Sequence, residues 1–381
     1  MNITIDVSPA VHHRAGMGRH AAELVEALHK LCRGNDEIQL RVFYTEAGRA
    51  DPQGAIATLP PYHTRLAYKP WRLSAMMSHF LRLPFDRLYG SPDIVHATDH
   101  LLPHVRAGSV FTLHDLIFEI FPEHHKRYNY TFLKLMMPRF LRAAEQIISV
   151  SEHSKRDAVR LYGVEASKIT VIYNAVDTRY QVATDDAVLS AVRQRYALPE
   201  SFILHVGTIE PRKNLGRLLD AFGALKAEFQ ELKLVLVGKK GWLYEPFFEQ
   251  LAASGLESEV IFPGFVAEAD LPAIFQLATV FAFPSVYEGF GLPPLEALAS
   301  GTPVVCSNAS SLPEVVGDAG LLVSPDDTHA LTAALRRVLT DPDLQNELKH
   351  LGPLQAAKFT WEEAARKTLK VYQGAVIKTK M

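Results

Sequence analysis

The sequence predicts an α/β protein built from two doubly wound, Rossmann-like domains, and three observations carry that expectation. At 381 residues the chain exceeds the roughly 250–300 residues at which one hydrophobic core usually stops growing, so two domains are the starting expectation. Short β-rich runs alternate with longer runs of helical period, the order that builds a mostly parallel sheet flanked by helices. The alternation occurs twice, on either side of a polar stretch at residues 177–199.

The first series runs ITIDV, a helix over residues 18–31, LRVFY, DIVHA, SVFTL, IISVS and ITVIY. The second opens at Phe202 with FILHVG, then a helix over residues 215–229, LVLVG, a helix near residues 245–253, VIFPGF, FAFPS and PVVCS. These divide the chain into domains at residues 1–182 and 183–357. A last helical stretch, residues 358–381 with Trp361, Glu362 and Glu363, need not pack on the domain before it. Doubly wound sheets bind ligands outside the carboxyl ends of their strands, so two such domains facing each other share a cleft, and chemistry belongs in the strand-to-helix loops.

Bulk composition narrows the function classes. With 48% hydrophobic and 22% charged residues and a formal charge of -2, no global charge points to nucleic acid as a partner. Cys32 and Cys306 lie far apart in apolar surroundings, which favours buried thiols in a reducing, cytoplasmic compartment over a disulfide. The opening MNITIDVSP has neither a basic nor an apolar leader region, and no run approaches the roughly 18 apolar residues needed to span a bilayer.

The densest chemistry lies in residues 288–296, EGFGLPPLE. Glu288 sits in a loop after the strand FAFPS, and a helix opens near Gly291 with Pro293 and Pro294 tolerated in its first turn. Gly289 and Gly291 allow close backbone approach to a ligand, and the amides of a helix start accept phosphate. Glu296 lies between Leu295 and Ala297 in an apolar stretch, where a carboxylate needs hydrogen-bond partners such as ligand hydroxyls. A solvated Glu288 and a Glu296 paired with Lys or Arg are the plainer alternatives. The turn VGTIEPRKN brings Arg212 and Lys213 to the end of another strand, and two cations there suit a diphosphate. Taken alone, such a pair is ordinary solvated surface.

Near the N-terminus, Gly16 and Gly18 followed by Ala21 match the dinucleotide pattern G-x-G-x-x-A, but eight residues separate Val7 from Gly16 where that motif needs a tight turn. A glycine-containing loop over the cleft is the expectation. His114 ends the strand SVFTLH, where a neutral ring could hydrogen-bond a donor sugar, with a structural histidine as the alternative. Asp341-Pro342-Asp343 reads as turn and N-cap, and Pro103 interrupts the spacing of His100 and His104, so no metal and no other cofactor is expected.

The Glu-x7-Glu spacing, the VGTIEPRKN turn, NAVD at 174–177 and the His114-Asp115 pair together resemble the GT4 family of retaining glycosyltransferases over nearly the whole chain. The resemblance implies a GT-B architecture: an N-terminal acceptor domain, a C-terminal donor domain for a nucleotide-diphosphate sugar, and a last helix crossing back to the first domain. It implies that Glu288 holds the hydroxyls of the transferred sugar and Glu296 those of the ribose. Arg212 and Lys213 would hold the diphosphate, helped by amides at Phe290, Gly291 and Leu292. Gly16 and Gly18 would approach donor phosphates and acceptor, and His114 the sugar. Many members carry Arg directly after VG, where this chain has Thr208, which leaves the phosphates to Arg212 and Lys213.

Residues 65–87 interleave Arg65, Lys69, Arg72, Arg82 and Arg87 with Trp71, Leu73, Met76, Met77, Phe80 and Leu81, the pattern of a basic amphipathic helix at a membrane surface. Residues 126–142 offer a second such helix; two helices packed on a sheet with their charge exposed are the alternative. The functional expectation is a hexosyltransferase, with mannose from a GDP donor and a saccharide or lipid-linked acceptor, at the inner face of the cytoplasmic membrane. The rivals are a nicotinamide-dependent oxidoreductase using Gly16 and Gly18, and a non-catalytic sugar-nucleotide-binding protein.

Overall fold

The computed structural model describes residues 1–45, 50–181 and 184–379, except the side chains of Ala15 and residues 377–379. Among them, two all-parallel sheets form. The first contains β1 (Asn2–Asp6), β2 (Gln39–Thr45), β3 (Pro61–Thr64), β4 (Ile94–Ala97), β5 (Gly108–Leu113), β6 (Gln146–Ser149) and β7 (Ile169–Val171), in the order β3-β2-β1-β4-β5-β6-β7. The second contains β8 (Phe202–Val206), β9 (Lys233–Val237), β10 (Val260–Ile261), β11 (Val280–Phe283), β12 (Val304–Ser307) and β13 (Gly320–Val323), in the order β10-β9-β8-β11-β12-β13. Both orders are doubly wound, and they reverse between β1 and β4 and between β8 and β11. At such a switch point neighbouring loops diverge and leave a crevice at the strands' carboxyl ends.

The strands read as apolar runs because helices cover both faces of a parallel sheet. Every residue of β4, β5, β11 and β12 is buried. The flanking helices contribute apolar stripes of helical period: Ala21, Leu24, Val25, Leu28 and Cys32 on the helix Ala15–Cys32, and Leu215, Leu218, Leu219, Phe222 and Leu225 on Leu215–Lys226. Both cysteines are buried free thiols.

The chain divides into two compact units, Met1–Asn174 with Thr360–Met381, and Ala175–Phe359. The sequence-based boundary at 182–183 lies outside the described residues. The division falls at 174–175 because residues beyond it already pack on the second unit: the Tyr180 ring meets Phe275 edge-on, and Thr184 N donates to the Gln276 side chain. The helix Trp361–Thr379 belongs to the first unit, where Ala364, Ala365, Val371, Tyr372 and Ala375 form a buried stripe. Tyr372 reaches His96 of β4, whose ring nitrogens hydrogen-bond the Tyr372 hydroxyl at 2.7 Å and Thr112 Oγ1 at 2.8 Å.

Two sequence expectations change. Gly16 and Gly18 lie not in a loop but in the first turn of the helix Ala15–Cys32. A Cβ on Gly18 would come within 2.7 Å of Pro9 O, so this glycine lets the helix start pack against the turn Ser8–Val11. The basic segment 65–87 is not one helix either: Tyr68–Leu81 stops at Arg82, whose φ of 51° ends it in a left-handed cap.

Candidate active site

In the second unit, the reversal point lies between β8 and β11, and the loops leaving these strands carry the charged residues singled out in the sequence. After β8 the chain makes the tight turn Pro211–Lys213, and Asn214, at φ 57°, starts the next helix. The Asn214 amide donates to Pro284 O and Pro325 O, tying this turn to the loops after β11 and β13. Arg212 and Lys213 are thereby aimed at Glu288. Lys213 Nζ lies 2.7 Å from Glu288 Oε1, Arg212 Nη1 2.5 Å from Glu288 Oε2, and Arg212 Nε 2.5 Å from Glu210 Oε1. Lys213 also stands 4.5 Å above the Phe283 ring.

Burial would raise the Glu288 pKa, but the charges of Arg212 and Lys213 and their hydrogen bonds outweigh it and bring the pKa down to about 2. Glu288 is therefore ionised at any ordinary pH. Burial, and then the neighbouring Arg212, lowers Lys213. Glu210 is raised by its own burial against the pull of Arg212 and Lys213. The two cations assigned by resemblance to a diphosphate are thus the ones that hold Glu288, and two carboxylates balance their charge.

Beyond Glu288, Phe290 is buried against Phe359, and Gly291, at φ 117°, is the N-cap of the helix Leu292–Ala299. The φ of Gly291 is one that residues with a Cβ rarely adopt, and a Cβ there would also crowd Leu312 Cδ2 at 2.8 Å. Leu292 begins the helix and Glu296 sits one turn in, 3% exposed. Glu288, Arg212, Lys213, Phe290, Gly291, Leu292 and Glu296 therefore all lie in or next to the loops at one sheet edge.

In the first unit, the reversal point between β1 and β4 gathers Asp6, Arg14 and Asp99. Arg14 Nη1 donates to Asp99 Oδ2 at 2.6 Å, and its guanidinium lies 3.9 Å from the centre of the Tyr68 ring. Asp6 accepts from both the amide and the hydroxyl of Ser8, yet burial raises its pKa to about 6. His114, just past β5, donates from Nε2 to Thr98 O at 2.9 Å, which assigns the lone pair to Nδ1. Burial and then His100 bring its pKa down to about 4, so the ring is neutral. His20 packs edge-on against it at 4.9 Å and donates to Asn174 of the NAVD motif. Gly16 is exposed at the helix start, while Gly18 is buried.

Arg72 corrects the surface expectation. It is 5% exposed, 3.8 Å from the centre of the Phe132 ring, and hydrogen-bonded to Asn129, so it joins two helices of this unit instead of facing solvent. Arg82 is exposed, beside the exposed apolar side chains Leu73, Met77, Phe80, Leu81 and Leu83. On the second expected surface helix, Arg127–Ala143, Met136, Met137 and Phe140 are buried and Leu135 is exposed.

Two family models match the chain: Glycosyltransferase Family 4 over residues 14–180 and Glycosyl transferases group 1 over residues 192–353. The O-antigen chain mannosyltransferase B of Escherichia coli is 31% identical over 387 residues, covering 98% of this chain and 100% of that protein. The chain belongs to glycosyltransferase family 4. The serotype-specific mannosyltransferase WbdA of Escherichia coli is 34% identical over 226 residues, 58% of this chain but 28% of WbdA, so the match spans little more than a quarter of that longer protein. Sucrose-phosphate synthase of Thermosynechococcus elongatus superposes with a TM-score of 0.77 at 20% identity over 98% of both chains, which identifies the fold as GT-B.

For a family 4 glycosyltransferase, several neighbours of the expected residues went unmarked in the sequence. Glu210 shares Arg212 with Glu288, and Ser310 and Ser311 bond the backbone at Glu288. His205 stacks on Phe283 at 5.3 Å and donates to Ala282 O; burial and then Lys213 bring its pKa to about 3. Only Glu210 carried a signal, being part of the EPRKN turn.

Proposed function

We propose that this glycosyltransferase moves mannose, or a closely related hexose, from a GDP-linked donor to a saccharide or lipid-linked saccharide acceptor of a cell-surface polysaccharide, with retention of anomeric configuration. The observation that carries the reading is the carboxylate of Glu288, held ionised by two cations at the switch point of the second sheet and three residues from a glycine N-cap. The mannosyltransferase of Escherichia coli that aligns end to end supports the choice of sugar.

In this reading Glu288 accepts hydrogen bonds from hydroxyls of the transferred sugar, and Glu296 from those of the ribose. The diphosphate meets Arg212, Lys213 and the backbone at Phe290, Gly291 and Leu292. Because Glu210 and Glu288 already balance the two cations, the helix start at Gly291 has to supply part of the positive potential. Such preorganised groups stabilise charge on the departing diphosphate by several kcal/mol, and that phosphate takes the acceptor's proton. His114 offers the Nδ1 lone pair to a sugar hydroxyl, and Gly16 exposes helix-start backbone beside the donor phosphates, whereas Gly18 serves packing. The oxidoreductase alternative loses ground, since Gly16 and Gly18 start a helix well past β1 and do not form a tight phosphate turn.

Thermal shift with GDP, UDP, ADP, their sugars and NAD tests the reading, with the largest stabilisation expected from GDP-mannose; stabilisation by NAD alone overturns it. Among the described residues no group of three or more His, Cys, Asp or Glu is placed to hold a metal ion. Transfer is expected to survive chelator, and loss of activity restored by magnesium would refute that. The exposed apolar side chains around Arg82 support peripheral contact with the anionic inner face of the cytoplasmic membrane. No helix among the described residues is long and apolar enough to cross a membrane. Binding to anionic vesicles at low salt, weakened by Leu81→Asp with Arg82→Glu, is the expected result; indifference to vesicles removes the membrane part.

A further inference from the structure

The loop that carries Glu288 is fixed by the end of β12 and the loop after it, through serines that no motif marks. Ser307 Oγ donates to Ser285 O at 2.5 Å. Glu288 N–H donates to Ser310 Oγ at 2.8 Å. Ser311 Oγ lies 2.9 Å from Glu288 O and 2.7 Å from Phe290 O, so its one proton is shared between two carbonyls. On the other side, Val286 N donates to Arg212 O at 2.9 Å. Both backbone polar groups of Glu288 are therefore held by adjacent serines, and the direction of its side chain follows from theirs.

Ser310 has a φ of 54°, a conformation that side chains with a Cβ disfavour and glycine adopts freely. Stability alone favours glycine there. A serine in this conformation presents its hydroxyl to Glu288 N, and a strained backbone kept beside a functional group is evidence for a positioning role. Ser311 is fully buried and sits at the start of the helix Leu312–Val316, yet its side chain serves the Glu288 loop and makes no cap bond to its own helix.

We infer that Ser310 and Ser311 are positioning residues for sugar-nucleotide binding: they set the carboxylate of Glu288, and the backbone leading to Gly291, in the geometry that takes the donor. This rests on the proposed donor role of Glu288. The test is calorimetric titration of the full-length protein with the sugar nucleotide that stabilises the wild type most, GDP-mannose in the first instance. Ser310→Gly removes the acceptor and the disfavoured conformation together. It is expected to keep or raise the Tm while weakening binding about tenfold, and Ser310→Asn, which tolerates this φ and retains an acceptor oxygen, to recover most of the loss. Ser311→Ala should weaken binding similarly, with recovery in Ser311→Thr.

A purely structural role predicts the opposite coupling, with binding falling only where the Tm falls. Wild-type affinity in Ser310→Gly, or a loss that Ser310→Asn fails to recover, overturns the inference while leaving the proposed function intact. Absence of binding by the wild type to every sugar nucleotide overturns both.

Discussion

Replacing Glu288 by Gln keeps the size and one acceptor oxygen but removes the charge that Arg212 and Lys213 face. Two cations would then share Glu210 alone, and Lys213 is almost fully buried. Removing one partner of a buried pair typically costs about 3–5 kcal/mol. Here the loss should be nearer 2 kcal/mol, because a quarter of the Arg212 side chain is exposed and water screens it. Glu288→Gln is therefore expected to lower the Tm by several degrees and to cut transfer about 100-fold, the scale on which one preorganised polar group acts. Steady-state rates of nucleoside diphosphate release, set beside a melting curve, check both halves. Transfer at the wild-type rate would remove Glu288 from the donor site.

The helix Trp361–Thr379 shows the same dependence on one polar contact within an apolar face. Tyr372 and His96 are both fully buried, and Tyr372→Phe would leave one nitrogen of the His96 ring without its partner. An unsatisfied buried donor or acceptor costs about 1–3 kcal/mol, so denaturant unfolding of the first unit should shift by that amount while unfolding of the second is unchanged. Elements like this helix were legible because a buried stripe repeats every three or four residues, and β4, β5, β11 and β12 because their short runs are mostly apolar and β-branched or aromatic. β3 and β13 were not, since PYHT is mostly polar and GLLV is a four-residue run too short to establish a period. Residues 288–296 stood out because two carboxylates and two glycines are improbable in an apolar segment. Ser310 and Ser311 did not, as serines are common in loops and the φ of 54° has no trace in sequence. Arg72 was misread because periodicity reveals a stripe but not its partner: the slot that buries it is built by Tyr68, Tyr128 and Phe132, which lie on two helices far apart in the chain.

Across the whole molecule, titratable groups are distributed unevenly between the two units, and acid should separate them. In the first unit burial lowers the pKa of His20 well below its ordinary value, His96 to about 3 and His114 to about 4. The unfolded chain takes up these protons as pH falls through 6.5, while the folded one stays neutral until its own lower values are reached. Stability is thus full above pH 6.5 and lost on the way down, at about 1.4 kcal/mol per pH unit for each histidine. Asp6 opposes this: with its pKa raised to about 6, it binds a proton in the fold before the unfolded chain does, so its contribution grows as pH falls from 6 towards 3.8. Three histidines against one carboxyl leave a loss of roughly 3 kcal/mol per pH unit below 6. In the second unit, among the described residues, His205 is the one strongly depressed histidine, a raised Glu210 opposes it, and Glu288 stays ionised down to about pH 2. The first unit should therefore unfold first on acidification between pH 6 and 4. Tryptophan fluorescence can follow it, because Trp71 and Trp361 belong to that unit and Trp242 to the other. Asp6→Asn should steepen the acid loss by about 1.4 kcal/mol per unit, since it removes the opposing group. Stability that stays flat from pH 7 to 5 would mean that these histidines are not held neutral in the fold.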